Sequence, residues 1–350
     1  MSHTSGPVRP GAAERPLDVG VIGFGYWGPK LVRNLAAIPG CRMCCICDRA
    51  PERLAAAMRA HPGVALSASA DELLSNAELD AVVIATPVST HYRLTLAALR
   101  SGKHVFVEKP LAGSTAEARH LVEEARSRGC LLMVGHVFVY AAAVRRVREI
   151  LASEPFGELL YYDSARLNSI PYEQDVSVLW DLAVHDLSIL DYLVGEHPRA
   201  VSATGVSHRG DGLESTAYLT VFYDSGLLAH VGVNWLAPEK VRRALIGGTR
   251  QMIVYDELEP IEKLRVFDHG LTSNGHVPVT PEHVLTQPWA PELDRTEALR
   301  RELEDFVEAI GSGRAPTADG AAGLHVVELL EAAERSLRER GRPVELGRDG

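Results

Sequence analysis

The sequence predicts an α/β protein with a doubly wound parallel sheet over residues 16–136 and a second α/β domain over residues 137–350. Strands alternate with helices in the first region, and each strand is a short, almost continuously apolar run, as in sheets buried on both faces. A glycine-rich turn joins the first strand to the first helix. Beyond Val137 several strand-like runs lack intervening helices, which predicts an antiparallel or mixed sheet. Residues 1–15 are expected to form a flexible tail.

The first strand and helix are joined by a Gly-x-Gly-x-x-Gly turn, made by Gly23, Gly25 and Gly28. Apolar residues precede it, and Pro29 opens a helix that Pro39-Gly40 ends. The first glycine allows a tight turn, and the second lets a pyrophosphate approach backbone N–H groups at a helix N-terminus. A glycine turn without a ligand is the alternative. The strand and helix around the turn favour a dinucleotide site.

A second strand, Arg42–Cys47, ends in Asp48, which follows Gly28 by 20 residues. An acidic side chain at this point can accept a hydrogen bond from a ribose 2′-hydroxyl and would repel a 2′-phosphate. Arg49 is the competing signal, because a guanidinium can bind that phosphate. We therefore predict NAD as cofactor in preference to NADP.

The other elements follow from apolar periodicity and from capping residues. In the first domain these are helix Pro51–Ala60, strand Val64–Leu66, a helix capped by Asp71, strand Leu79–Ala85, a helix capped by Ser89, strand His104–Val107, helix Ser114–Arg128 and strand Leu131–Val134. In the second they are helix Ala141–Leu151, strand Glu158–Asn168, amphipathic helix Val176–Val194, strands Ala200–Val206, Ser215–Tyr223, Leu227–Trp235, Arg243–Ile246 and Gln251–Tyr255, a Pro-rich loop Leu271–Pro291, and helices Thr296–Ile310 and Ala318–Arg340.

The composition is that of an ordinary soluble globular protein, with 46% hydrophobic and 23% charged residues among 350. A formal charge of −10 argues against nucleic acid as a partner. No apolar run approaches the roughly eighteen residues that span a membrane, and the N-terminus lacks the apolar core of a secretory signal. The expected location is the cytoplasm.

Four of the five cysteines, Cys41, Cys44, Cys45 and Cys47, lie within seven residues and raise the question of a metal site. Because successive side chains of a strand point to opposite faces, four sulfurs on one strand cannot converge on zinc. We predict buried thiols and no metal, as suits a reducing compartment.

Polar residues stand where the predicted parallel strands end, which is where open parallel sheets bind ligands. They are Asp48, Thr86, Glu108-Lys109 and His136. Lys109 precedes a proline just after a buried strand and is therefore expected to face the cleft, a solvated surface lysine being the alternative.

Asp181 and His185 are four residues apart in a predicted helix and so are expected on one face. A helix salt bridge or a pair of metal ligands are the alternatives, but no third ligand lies nearby. Asp186 is expected to be structural.

Together, the dinucleotide turn, Thr86-Pro87 with His91, Glu108-Lys109-Pro110, and Asp181-x-x-x-His185 resemble the glucose–fructose oxidoreductase, inositol dehydrogenase and rhizopine-catabolism (Gfo/Idh/MocA) family over nearly the whole chain. The resemblance implies a Rossmann domain that binds NAD(P) and a second domain with a large, mostly antiparallel sheet for substrate and oligomer contacts, in a homodimer or homotetramer. It implies catalytic Lys109, Asp181 and His185, and cofactor contacts from Gly23, Gly25, Tyr26, Trp27, Gly28, Asp48, Arg49, Thr86, Pro87, His91, Glu108, Lys109 and His136.

The segments Gly25–Asn34, Arg166–Asn168 and Ser177–Leu182 resemble one branch of that family, which oxidises nucleotide-linked aminosugars at C3 and has relatives in antibiotic pathways. UDP-N-acetylglucosaminuronate 3-dehydrogenase is its best-known type. Members often carry Tyr-Asn-Pro after the sixth strand, where this chain has Tyr140-Ala141-Ala142, and this departure weakens the transfer of any substrate contact made by that asparagine.

Substrate contacts are expected from Lys109, Arg166, Asn168, Tyr172, Asp181 and His185. Arg166 could bind a carboxylate or diphosphate with its fork, and Asn168 could bond ring hydroxyls. Strand alternation leaves open that Arg166 lies on the outer face of the sheet. Glu173 and Asp175 would instead suit a cationic aminosugar.

The leading hypothesis is an oxidoreductase that moves hydride between nicotinamide and a ring alcohol or ketone of a sugar. His185 would take the hydroxyl proton, Lys109 would stabilise the oxyanion or share the relay, and Asp181 would orient the imidazole. An NAD-dependent glycosidase and a non-catalytic ligand-sensing regulator are the alternatives, and the intact Lys109, Asp181 and His185 argue against the regulator.

Overall fold

The computed structural model describes residues 15–169, 176–208, 210, 212–268 and 287–347. The predicted tail therefore lies outside the described residues, except for Arg15. The first sheet has six strands, all parallel, in the order β3-β2-β1-β4-β5-β6. The strands are β1 Leu17–Ile22, β2 Cys41–Cys47, β3 Ala65–Ser67, β4 Ala81–Ile84, β5 His104–Glu108 and β6 Leu132–Gly135. The predicted doubly wound parallel sheet is confirmed.

Helices cover both faces of this sheet, and their buried residues form two cores. The helices are α1 Gly28–Ala36, α2 Pro51–Ala60, α3 Ala70–Ser75, α4 His91–Arg100 and α5 Thr115–Arg128. The caps of α3 and α4 correct the prediction. Ser69, not Asp71, caps α3, because its hydroxyl accepts the Glu72 N–H. Ser89 lies in a 3₁₀ turn before α4 and does not cap that helix. In this turn the Thr90 N–H donates to the carbonyl oxygen of Pro87.

The second sheet has eight strands in the order β13-β12-β11-β7-β10-β9-β8-β14, antiparallel except between β10 and β7. The strands are β7 Leu159–Ser169, β8 Ala200–Val206, β9 Thr216–Phe222, β10 Leu228–Asn234, β11 Leu236–Gly248, β12 Gln251–Asp256, β13 Leu264–Asp268 and β14 Val344–Glu345. The mostly antiparallel sheet is confirmed. The edge strands β13 and β14 were not predicted, because both are short and because β14 pairs with β8, which lies far from it in the sequence.

The predicted helix Val176–Val194 differs most from the structure. Residues Leu179–Ala183 form a π-helical turn, and the α-helix, α7, runs over Val184–Val194. Most of α7 is buried, because it packs against α6 (Ala142–Leu151), β7 and the C-terminal helix α9 (Gly320–Arg338). It is therefore a buried helix and not the amphipathic one that the sequence predicted.

The two closing helices tie the end of the chain back to the first domain. Helix α8, Ala298–Ser312, packs on the first sheet, with the Phe306 ring centroid 5.8 Å from that of Phe106. The Val134 N–H then donates to the carbonyl of Ala318 (2.9 Å) just before α9. The boundary at residue 136 stays a prediction, and α8 contributes to the core on the N-terminal side of it.

Most of the predicted loop Leu271–Pro291 lies outside the described residues. Among the described helices, none combines the length and apolar character needed to cross a membrane.

Candidate active site

The glycine turn leaves no room for side chains at two of its three glycines. Gly23 has φ 101°, and a Cβ there would lie 2.3 Å from the carbonyl oxygen of Ala85. A Cβ on Gly28 would lie 2.3 Å from the carbonyl oxygen of Gly23. Both glycines are therefore required by the fold of the turn itself.

Gly25 is different, because a Cβ there would meet only the Arg53 guanidinium at an ordinary 3.6 Å. The protein does not need this glycine for packing, so the space beside it suits an outside group. That space adjoins a cavity of about 490 Å³ lined by Gly23, Asp48, Arg49 and Thr86-Pro87, among others. We call it the dinucleotide cavity, and its lining fits the adenosine half of a dinucleotide above a backbone cradle for pyrophosphate.

Asp48 joins the turn to the end of β2. Its Oδ2 accepts the Phe24 N–H at 2.7 Å and its Oδ1 accepts the Ala50 N–H at 2.9 Å, while Arg53 lies 3.5 Å from Oδ2. These donors fix the carboxylate at the cavity wall, where its lone pairs can also accept a ribose hydroxyl. Arg49, Arg53 and Arg93 line the same cavity and are the cations available to a 2′-phosphate.

We expect NAD to bind more tightly than NADP, because the fixed Asp48 carboxylate repels a 2′-phosphate and accepts a free hydroxyl. Titration of both cofactors against tryptophan fluorescence measures the preference. D48N removes the negative charge and keeps the size of the side chain. It should narrow the difference in affinity between NAD and NADP. Tighter binding of NADP by the unaltered chain would show that the arginines dominate.

His91 fastens the two loops that follow β4 and β5. Its Nδ1 lies 2.8 Å from the carbonyl oxygen of Pro110 and its Nε2 lies 2.8 Å from that of Thr86. The ring is 1% exposed, so both nitrogens are taken by the protein. These bonds position Thr86-Pro87 and Lys109-Pro110, and the predicted contact of His91 with the cofactor stays a prediction.

Lys109 and Asp181 meet across the cleft between the domains. The Lys109 Nζ donates to the Asp181 carbonyl oxygen at 2.9 Å and lies 3.4 Å from Oδ1. The Trp235 Nε1–H donates to the other carboxylate oxygen at 3.1 Å. Both members of the ion pair are mostly buried, with side chains 16% and 18% exposed. Lys109 therefore faces the cleft, as predicted, and is not a solvated surface lysine.

His185 lies beside this pair but is not bonded to it in the described contacts. Its Nδ1 is sealed from solvent and has no hydrogen-bond partner among the described residues, and its ring meets the edge of Phe138 with centroids 4.8 Å apart. Burial, with the charges of Lys109 and Arg166 adding to it, holds the pKa of His185 well below its usual value. His185 is therefore neutral near pH 7 and able to accept a proton.

The predicted role of Asp181 in orienting His185 is therefore corrected. The π-helical turn changes the angular spacing between the two residues, so the i, i+4 rule for α-helices does not hold. Asp181 instead holds Lys109, and Trp235 holds Asp181. Trp235 follows strand β10, and no sequence motif singled it out.

Arg166 lies on the inner face of β7 and is 2% exposed. Its Nε donates to Asp186 at 2.5 Å, its Nη1 lies 3.5 Å from Glu257, and its guanidinium carbon lies 4.6 Å from the centroid of the Phe138 ring. The prediction of a free fork for substrate is wrong, and so is the alternative of an outer-face position. Asp186 is structural, as expected. Asn168 is half-buried on the same face, whereas Tyr172, Glu173 and Asp175 lie outside the described residues.

Tyr26 and Trp27 form the outer wall of the glycine turn, and Tyr26 is 78% exposed. The Lys30 Nζ lies 3.7 Å from the centroid of the Tyr26 ring and 4.4 Å from that of Trp27. The Lys30 ammonium lowers the pKa of Tyr26, and Lys240 and Arg242 of β11 add smaller effects. Three cationic side chains, Lys30, Lys240 and Arg242, thus lie near Tyr26, and Glu257 pairs with Arg242.

The last two predicted cofactor residues end β5 and β6. Burial raises the pKa of Glu108 to about 7 against the opposing charge of Lys109, so this carboxyl is partly protonated at neutral pH. His136 is 2% exposed, and neither ring nitrogen has a partner among the described residues. It lines a second cavity and not the dinucleotide cavity, and its predicted contact with the cofactor stays a prediction.

Comparisons with known proteins agree with this geometry. Residues 17–136 match the family model described as oxidoreductase family, NAD-binding Rossmann fold, and residues 144–254 match the GFO/IDH/MocA C-terminal domain. A UDP-N-acetylglucosamine 3-dehydrogenase from Acidithiobacillus ferrooxidans is 33% identical over 313 residues, which are 89% of this chain and 94% of that protein. The chain belongs to the Gfo/Idh/MocA family. It is an oxidoreductase with the NAD-binding Rossmann domain of that family, as predicted.

Other Gfo/Idh/MocA relatives differ in what their names say they act on. An inositol 2-dehydrogenase 2 from Saccharopolyspora erythraea is 32% identical over 327 residues, covering 89% of this chain and 91% of that one. The solved structure of GenD2 from gentamicin A biosynthesis, in complex with NAD, has a TM-score of 0.81 at 28% identity, covering 98% of this chain and 100% of that chain. These identities establish the family and leave the substrate to be argued.

Proposed function

We propose that this Gfo/Idh/MocA chain oxidises or reduces a ring carbon, C3 in the leading case, of a nucleotide-linked sugar or an aminosugar. The observation that carries the proposal is the meeting of Lys109, Asp181 and His185 at the carboxyl end of β5, next to the dinucleotide turn. A cation, its fixed counter-ion and a neutral imidazole are what removal of a hydroxyl proton requires.

Bound NAD would be held by the glycine turn, Asp48 and the Thr86-Pro87 loop, and it supplies a two-electron hydride acceptor. His185 accepts the hydroxyl proton, since burial and nearby cations keep it neutral. Lys109 lies where it can donate to the substrate oxygen, and the Asp181 carboxylate keeps the ammonium in place. These three roles stay predictions until the variants below are measured.

Cationic side chains near Tyr26 and the names of two relatives support the proposed substrate class. Lys30 and Lys240 lie near Tyr26 beside the Arg242–Glu257 ion pair, and this positive charge suits a diphosphate better than a neutral polyol. The relative from Acidithiobacillus is named for a nucleotide-linked aminosugar and its 3-position, and GenD2 belongs to an aminoglycoside pathway. A role in sugar or antibiotic biosynthesis follows from these names as part of the proposal.

A panel of UDP-, GDP- and dTDP-sugars beside free aminoglycosides and inositol tests this function. NADH appearance is followed with and without an added keto acid, because tightly held cofactor would otherwise hide turnover. Reaction with a nucleotide sugar or aminoglycoside supports the proposal, and reaction with inositol alone overturns the substrate class. Release of a glycosidic leaving group without net formation of NADH would establish the glycosidase alternative. Ligand binding without turnover would establish the regulator.

We further propose that a second copy of this chain covers the open face of the eight-stranded sheet. This face exposes Tyr161, Tyr218, Leu228 and Leu245, which are 36–61% exposed. The Tyr161 ring lies over Gly247, and the Tyr218 ring over Gly232, so the aromatic groups lie flat on the sheet. A flat face on which exposed apolar side chains lie among polar ones, such as Asp163 opposite Leu245, is typical of a protein interface.

L245D is expected to convert an oligomer to monomers, because it places a charge at the centre of that interface. Light scattering after gel filtration measures the mass. M58D is the matched control, since Met58 is an exposed apolar residue (58%) on α2, away from the sheet. If L245D leaves the mass unaltered, or if M58D changes it equally, the open face of the eight-stranded sheet is not the interface.

A further inference from the structure

His185 poses a problem that the proposed function does not solve. Each oxidation delivers a proton to this residue, yet its Nδ1 is sealed from solvent. The proton must leave before the next cycle, and bound cofactor and substrate would fill the cleft. A route on the other side of the residue would let proton release proceed while the cleft stays closed.

Helix α7 provides a polar stripe that leads away from His185. Ser188 and Asp191 follow it at three-residue intervals and so lie along one side of the helix. Leu187, Leu190 and their neighbours on the same helix are buried apolar residues. The polar stripe thus lies beside buried apolar residues, while Asp186, on another side of the helix, pairs with Arg166.

The stripe lines a cavity of about 190 Å³ together with His136 and Arg148, which we call the His136 cavity. At roughly 30 Å³ a molecule this space accommodates several waters. Neither ring nitrogen of His136 is satisfied by a described protein group, and an unsatisfied buried polar atom costs about 1–3 kcal/mol. The polar walls of the cavity therefore suit water as the partner of His136.

His136 shares its cavity with Asp191 and with Ser188, whose hydroxyl donates to the carbonyl oxygen of His185 at 2.8 Å. Burial lowers the pKa of His136 to about 4; Asp191 opposes that shift and Lys109 adds to it. The charge of His136 also contributes to the lowered pKa of His185. A neutral imidazole can accept a proton on one nitrogen and give one up from the other, so it can relay protons without staying charged.

The stripe reaches the surface at α9. The Asp191 Oδ1 lies 3.4 Å from Nδ1 of His325, whose side chain is 43% exposed. Asp191 raises the pKa of His325, and the exposure of this side chain lets it exchange protons with solvent. The His197 ring lies beside it, with centroids 5.6 Å apart.

We propose that His136 and Asp191 connect His185 to His325 and form the exit route for the proton released by substrate oxidation. This inference rests on the proposed function. In the balanced step, the C–H of the alcohol gives its hydrogen and two electrons to NAD⁺ as hydride, and the O–H proton passes to His185. That proton then crosses the His136 cavity through water, His136 and Asp191 to His325 and solvent. Reduction of the ketone runs the same route inwards.

The test measures how fast the proton on Nδ1 of His185 exchanges with water. NMR on ¹⁵N-histidine-labelled protein follows this exchange and needs no substrate. H136F should slow this exchange tenfold or more, and H136Q, which bonds water but does not relay through two ring nitrogens, should do the same. H120F is the matched control, because His120 bonds Tyr92 and does not line the His136 cavity. Equal exchange in H136Q and H120F overturns the route, even if H136F does not fold.

With a substrate in hand, H136Q should lower kcat about tenfold, raise its solvent deuterium isotope effect and leave KM nearly unchanged. Imidazole should restore part of the rate in H136A, which a merely structural role would not allow. Slowed exchange in a chain that oxidises no sugar would uphold the route and reject the proposed function. Unslowed exchange in a chain that oxidises a sugar would uphold the proposed function and reject the route.

Discussion

K109A is expected to lower kcat by about a hundredfold or more while NAD binding stays nearly intact. The Lys109 Nζ lies 2.9 Å from the Asp181 carbonyl and 3.4 Å from its carboxylate, so the ammonium is fixed before substrate arrives. A fixed cation stabilises an oxyanion without the cost of reorganisation at the moment of reaction. A hundredfold loss corresponds to about 2.7 kcal/mol of transition-state stabilisation.

Steady-state kinetics with the sugar found in the panel measure this loss, and fluorescence titration with NAD measures cofactor binding. K109R is the matched variant, because it keeps the positive charge but changes its position, and it should fall between K109A and the unaltered chain. If K109A keeps near-normal kcat, Lys109 is a structural partner of Asp181 only. If it loses NAD binding as well, its role is in holding the cofactor.

H185A is expected to reduce kcat on a similar scale, because it removes the group that takes the hydroxyl proton. The pH profile of the unaltered chain carries a second expectation. The pKa of His185 is lowered, so the neutral, proton-accepting form is present above that pKa and is lost only as the pH falls through it. Activity should therefore persist well below pH 6.5, where an unperturbed histidine would already be half protonated.

Combination of the two changes separates a shared role from independent ones. K109A/H185A should lose much less than the product of the two single losses, as is found for residues that act as a unit. Rates measured from pH 5 to 9 for each variant complete the comparison. Near-normal turnover of H185A across that range would exclude His185 as the proton acceptor, and strictly multiplicative losses would exclude a common step.

The sequence by itself determined the parallel sheet, the dinucleotide turn and the residues at its strand ends. These depend on local patterns: apolar runs mark buried strands, and glycine is required where a Cβ would strike the backbone 2.3 Å away, as at Gly23 and Gly28. The carboxyl ends of parallel strands necessarily share one edge, so Asp48 and Lys109 could be assigned to one cleft without coordinates.

Only the tertiary structure decided which partner each polar group meets. A π-helical turn, stabilised by packing and not by any motif, separates Asp181 from His185 and turns the carboxylate to Lys109 and Trp235. The Arg166 guanidinium pairs with the carboxylates of Asp186 and Glu257, and Glu257 lies 91 residues away along the chain. Such pairings follow from the packing of distant elements, because a side chain's hydrogen-bond partner depends on the three-dimensional position of both groups and not on their spacing in the sequence.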